Sequence, residues 1–158
     1  MPILGTRHLR WADEGACAQA ATALAAHASL ADACIELHGP LGAGKTTFVR
    51  HLLHALGVQG SIKSPTYTLM EPYELVRDGT PTVASHFDFY RFDDAQEWED
   101  AGFRDVFAAP GLKLVEWPEK AAAFLPVPDL RMHIEPREDE SRDVRIVAHT
   151  ARGMELLP

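Results

Sequence analysis

The chain has 158 residues, room for one domain with a proper core but too few for two. Hydrophobic residues make up 46% and charged residues 24%, an ordinary globular balance. A net charge of −8, with no run of five basic residues, argues against a surface that grips nucleic acid by itself. No stretch of 18 apolar residues is present, so no spanning helix is expected. Cys17 and Cys34 are too few for a zinc site and fit a reducing cytoplasm.

The segment Ala16–Leu30 is apolar enough to resemble a leader. Gln19, Thr22 and His27 interrupt it, however, and Asp13 and Glu14 precede it in place of basic residues. It reads as a packed amphipathic helix with Asp13 as N-cap. Ala33–Leu37 is a short buried strand. His38–Thr47 then satisfies G-x-x-x-x-G-K-[ST], and Phe48, Val49, Leu52, Leu53 and Leu56 follow at helical spacing up to Gly57. After the polar loop Gln59–Thr66, Tyr67–Tyr73 and Thr82–Asp88 read as the arms of a β-hairpin turned at Asp78-Gly79. Residues 93–107 begin as an acidic helix and become irregular. Leu112–Val115 is a strand closed by Glu116, and a helix starts at Pro118 and runs on through Phe124. Leu130–Glu135 and Asp143–His149 form a terminal strand pair around the charged loop 136–142. The expected fold is a single α/β domain over 1–158, three-layered and P-loop NTPase-like. A hairpin directly after the loop helix makes its central sheet mixed, partly antiparallel.

A strand, a glycine loop and a helix in that order form a phosphate cradle. The glycines let main-chain N–H groups curl around phosphate oxygens, and the helix N-terminus adds partial positive charge. Lys45 can then reach the outer phosphates and the Thr46 hydroxyl can ligate Mg²⁺. Magnesium also needs a carboxylate at the end of a neighbouring strand. Two acids qualify: Glu116, which closes the more apolar run and is preferred, and Asp88, as a ligand or as orienter of the attacking water. Ser64-Pro65-Thr66 lies where P-loop proteins keep a γ-phosphate sensor, although a rigid strand entry explains it equally well. His86 reads as an exposed histidine. Arg91 and Arg104 are surface arginines and candidates for neutralising charge. Trp117 either stacks near the site or covers the core, with core cover preferred, and His51 and His54 read as surface residues.

Four motifs sharpen this picture: Gly39–Thr47, Ser64–Tyr67 (S-P-T-Y), His86–Arg91 (H-F-D-x-Y-R) and Val115–Glu119 (V-E-W-P-E). Their order and spacing resemble the bacterial TsaE (YjeE) family from about residue 10 to about residue 135. The resemblance implies a weak, partner-activated P-loop ATPase. It would act with a TsaB–TsaD pair in threonylcarbamoyl modification of adenosine in ANN-decoding tRNAs; the acidic balance leaves tRNA contact at most indirect, and the missing spanning run leaves no membrane partner. It further implies that Gly39, Leu41, Gly42, Ala43, Gly44, Lys45, Thr46 and Thr47 hold ATP with Trp117 close by. Thr46 and Glu116 would hold Mg²⁺, while Thr66 and Asp88 support hydrolysis. The position after the first loop glycine, often acidic in the family, is Pro40 here, which removes one N–H.

Two other readings of the loop compete. A small-molecule kinase would need an arginine-bearing lid, and the acidic segment 93–110, with Arg104 alone, supplies a poor one. A GTPase switch would need N-K-x-D, and the chain contains no asparagine.

Overall fold

Apolar residues recur with period two in some segments and near 3.6 in others, and that alternation sets the layers. A computed structural model describes all 158 residues. In chain order the elements are β1 (Gly5–Trp11), α1 (Glu14–Ala25), a 3₁₀ turn (Ala28–Asp32), β2 (Cys34–His38) and α2 (Lys45–Ala55). The hairpin β3 (Met70–Arg77) and β4 (Thr80–Asp88) follows, then α3 (Ala95–Asp100), α4 (Phe103–Ala108) and β5 (Leu112–Glu116). A 3₁₀ turn (Pro118–Ala121), β6 (Leu130–Pro136), β7 (Arg142–Ala148) and α5 (Ala151–Leu156) complete the chain.

All seven strands join one sheet in the order β1-β7-β6-β2-β5-β4-β3. The central four, β6, β2, β5 and β4, are parallel, and both flanks are antiparallel. This is the mixed, three-layer α/β architecture expected from the sequence. Successive strand residues point to opposite faces, and the core divides accordingly. Ile35, Leu37, Leu112 and Leu114 pack with Phe48, Val49, Leu52 and Leu53 of α2 on one face. Phe87 and Val115 pack with Trp98 of α3 and Phe103 of α4 on the other.

Several boundaries depart from the sequence reading. The first helix stops at Ala25, and Ala28–Asp32 winds as 3₁₀. Thr68 and Leu69 are not in a strand: Leu69 takes φ 68° and its N–H donates to the Pro65 carbonyl at 2.7 Å, so β3 starts at Met70. The irregular half of 93–107 is α4, because Gly102 at φ 69° turns the chain and Phe103 drops into the aromatic cluster. Pro118 opens only one 3₁₀ turn, ending at Ala121. β1 and α5 have no counterpart in the sequence reading.

Candidate functional site

The parallel strands β2, β5 and β4 end side by side, and the register pairs Leu37 with Glu116 and Asp88 with Glu116. β2 runs straight into the loop 38–44, so the loop and both carboxylates meet at one edge, as open α/β sheets arrange their ligand sites. Gly39 must be glycine: a Cβ there would lie 2.5 Å from the Ile134 carbonyl oxygen. Gly44 caps α2 from the left-handed region (φ 105°), which turns the first N–H groups of α2 toward the loop interior.

Lys45 is only 5% exposed. Its ammonium donates to the Gly39 carbonyl and lies 3.4 Å from the centre of the Trp117 ring. Burial draws its pKa below the ordinary lysine value, while Glu116, Glu119 and Asp88 push it back up. Trp117, at φ 55°, is half-buried against Tyr90 with ring centres 4.9 Å apart. It therefore meets the loop lysine on one side and packs against the aromatic core on the other, so both readings offered by the residues apply.

The Thr46 hydroxyl donates to the Glu116 carboxylate, 2.8 Å from Oε1 and 3.0 Å from Oε2. A hydroxyl and an ionised carboxylate in contact are the hard oxygen donors magnesium prefers, so the residues present fit that ion. Asp88 accepts from the Ser64 hydroxyl, from Thr66 Oγ1 at 3.2 Å and from the Tyr90 N–H at 2.9 Å. The loop 64–66 is thereby tied to the strand end beside Glu116. Thr66, Asp88, Lys45, Thr46, Glu116 and Trp117 thus converge on one edge of the sheet.

Other expectations fare differently. His86 is not exposed: it is completely buried, with Nε2 2.6 Å from Glu116 Oε2. Arg91 stacks over the Tyr67 ring at 4.6 Å beside Thr66, whereas Arg104 is exposed on α4 and makes no ion pair. His51 lies 3.2 Å from Glu14, and His54 lies 2.9 Å from the Gly60 carbonyl. Trp98 and Phe103 pin the 93–110 segment into the aromatic core.

Three features escaped the sequence reading. Arg142, at the start of β7, donates from Nε to the Ala43 carbonyl at 2.8 Å and so braces the loop from the far end of the chain. A cavity of about 540 Å³ opens beside it, reached from Ala43, Gly44 and Thr47 and walled by Trp11–Glu14 and Arg137. Finally, His38 joins the loop to the segment after Trp117. Its Nε2 lies 3.1 Å from Glu36, its Nδ1 3.5 Å from Glu119, and its ring stacks on His133 at 4.7 Å. Burial first, then the nearby His38, Arg145 and Arg131, push the His133 pKa down to about 4. Cross-strand register places His38 opposite His133, a pairing visible in sequence only once β2 and β6 are known neighbours.

A mixed α/β sheet with a glycine cradle, a buried lysine and a hydroxyl–carboxylate pair at its strand ends defines a P-loop-type protein. Comparison with known proteins narrows this class. Residues 11–144 match the family described as threonylcarbamoyl adenosine biosynthesis protein TsaE, and the chain belongs to that family. It is 40% identical to the tRNA threonylcarbamoyladenosine biosynthesis protein TsaE of Haemophilus influenzae over 78% of this chain and 75% of that one. Identity to the Streptomyces coelicolor TsaE is 37%, over 75% of this chain and 80% of the relative. The crystal structure of Bacillus subtilis YdiB superimposes with a TM-score of 0.74 and 25% identity, covering 99% of this chain and 94% of that one.

Proposed function

We propose that this chain binds and slowly hydrolyses Mg²⁺-ATP and works with TsaB–TsaD-like proteins in threonylcarbamoyl modification of adenosine in ANN-decoding tRNAs. The observation that carries the reading is the Thr46–Glu116 contact, made directly behind Lys45 at the end of β5. The loop amides at 39–46 and Lys45 hold the phosphates. The nucleoside fits the cavity beside Gly44, where Trp11 offers an apolar wall and Arg137 and Arg142 polar ones. Thr46 and Glu116 would hold magnesium, which when bound screens the charge on the outer phosphates.

Asp88 keeps Ser64 and Thr66 at the outer end of the loop, in place to orient water against the terminal phosphate. Arg91 is engaged with Tyr67 and exposed. With Arg91 engaged by Tyr67 and Arg142 spent on the Ala43 carbonyl, neither arginine is free to serve as a finger, and hydrolysis by the isolated chain is slow. Leu41 at the loop tip and Tyr67 beside Thr66 are 68% and 82% exposed, an apolar rim suited to a protein partner that completes the site.

The test is steady-state hydrolysis by the purified chain alone and then with TsaB and TsaD added. Turnover rising at least tenfold with the partners supports the reading. Rapid solitary hydrolysis, or no nucleotide binding by calorimetry, defeats it.

A further inference from the structure

Glu116 is held from two sides. Thr46 approaches from the loop, and His86 from the interior of the sheet. His86 lies two residues before Asp88 on β4, so both side chains leave the same face of the strand, the face that Glu116 shares on β5. Glu116 is 2% exposed and His86 not at all, so no water competes for their contact. With Glu116 as the acceptor, as it is toward Thr46, the 2.6 Å contact is a hydrogen bond donated by Nε2. Nδ1 is buried with no partner. Leaving a buried polar atom unpaired is costly, and a phenylalanine or leucine would fill the same place without it. The exception therefore calls for a reason.

The two carboxylate oxygens are not equivalent. Oε2 accepts from both His86 and Thr46, while Oε1 accepts from Thr46 alone. Once the Thr46 hydroxyl turns its oxygen to a metal, His86 is the one contact still holding the carboxylate, and it holds Oε2. Resting on the Mg²⁺-nucleotide reading above, we infer that His86 is the positioning residue for Glu116. It anchors Oε2 from beneath and presents Oε1 to the loop. Partners that orient a ligating group characteristically alter metal affinity about 10–100-fold when removed.

The test compares His86→Leu, His86→Asn and His86→Gln by calorimetry with a non-hydrolysable ATP analogue. Affinity is measured in EDTA and across a magnesium titration, alongside the urea unfolding midpoint. His86→Leu should raise the magnesium concentration needed for half-maximal tightening about 10–100-fold, with metal-free affinity changed less than about threefold. Glutamine places an N–H at the reach of Nε2 and should recover most of the loss. Asparagine is shorter and should not. If leucine does not fold, the asparagine–glutamine pair decides the matter. A wild-type magnesium requirement in the asparagine variant overturns the inference, as does equal weakening in EDTA, which marks a merely structural role. A wild-type chain with no magnesium-dependent binding instead defeats the nucleotide reading itself.

Discussion

Under the proposed function Lys45 and Glu116 have opposite jobs at the same site, and truncating each should separate them. In the proposed cradle, Lys45 would exchange its contacts with Gly39 and Trp117 for a phosphate that offers a full negative charge. Lys45→Ala removes a charge-assisted hydrogen bond worth about 2–3 kcal/mol. Nucleotide affinity should fall at least 30-fold by calorimetry, and undiminished binding contradicts the proposed cradle. Glu116→Ala removes negative charge from the loop instead. Metal-free nucleotide should bind as well or better, while magnesium-dependent turnover drops by about 100-fold or more. Full activity in that variant would move the metal role to Asp88, its register partner.

Helix starts show how local sequence signals become stability. Asp13 accepts the Ala16 N–H at 2.9 Å, and α1 packs against α2 in the core that also lies under the loop. Asp13→Ala should cost about 1 kcal/mol, lowering the thermal midpoint by roughly 2–4 °C in scanning calorimetry. That cap was legible because a short acid before an apolar period has one strong use. The central strands and the loop helix were legible for the same reason, each carrying a clean period. β1 was not: it is an edge strand whose Arg7, His8 and Arg10 face solvent, so its alternation is nearly all polar. Nor was the engagement of His86 or Arg142, since each meets its partner across about 30 and 99 residues of chain. Such contacts depend on strand order, which no local pattern encodes.

For the molecule as a whole, acidity and histidine burial meet beside the loop. The His133 pKa, at about 4, is below the ordinary 6.5 of an unfolded histidine. Between those values the unfolded chain binds the proton and the folded chain does not. The contribution to stability is thus complete above pH 6.5 and is lost as pH falls toward about 4. The ring is half-buried, so solvent screening reduces the effect to roughly 1–2 kcal/mol. Urea midpoints at pH 7.5 and pH 4.5 should therefore differ more in wild type than in His133→Phe. Equal differences would show that the stack on His38 carries no such linkage. The same acidity, a net −8 over the chain, argues against a surface that grips nucleic acid by itself.

The ring beneath Lys45 has one more consequence. Of the three tryptophans, Trp11 stacks on Phe48 and Trp98 sits within the aromatic core, so neither senses the loop's cation. Were Lys45 to swing to a phosphate as proposed, Trp117 alone would lose a positive charge from its face. On that reading the protein would carry its own optical gauge. Indole emission should shift on adding nucleotide, stay still in Lys45→Ala, and follow each loading and release of the site without any attached dye.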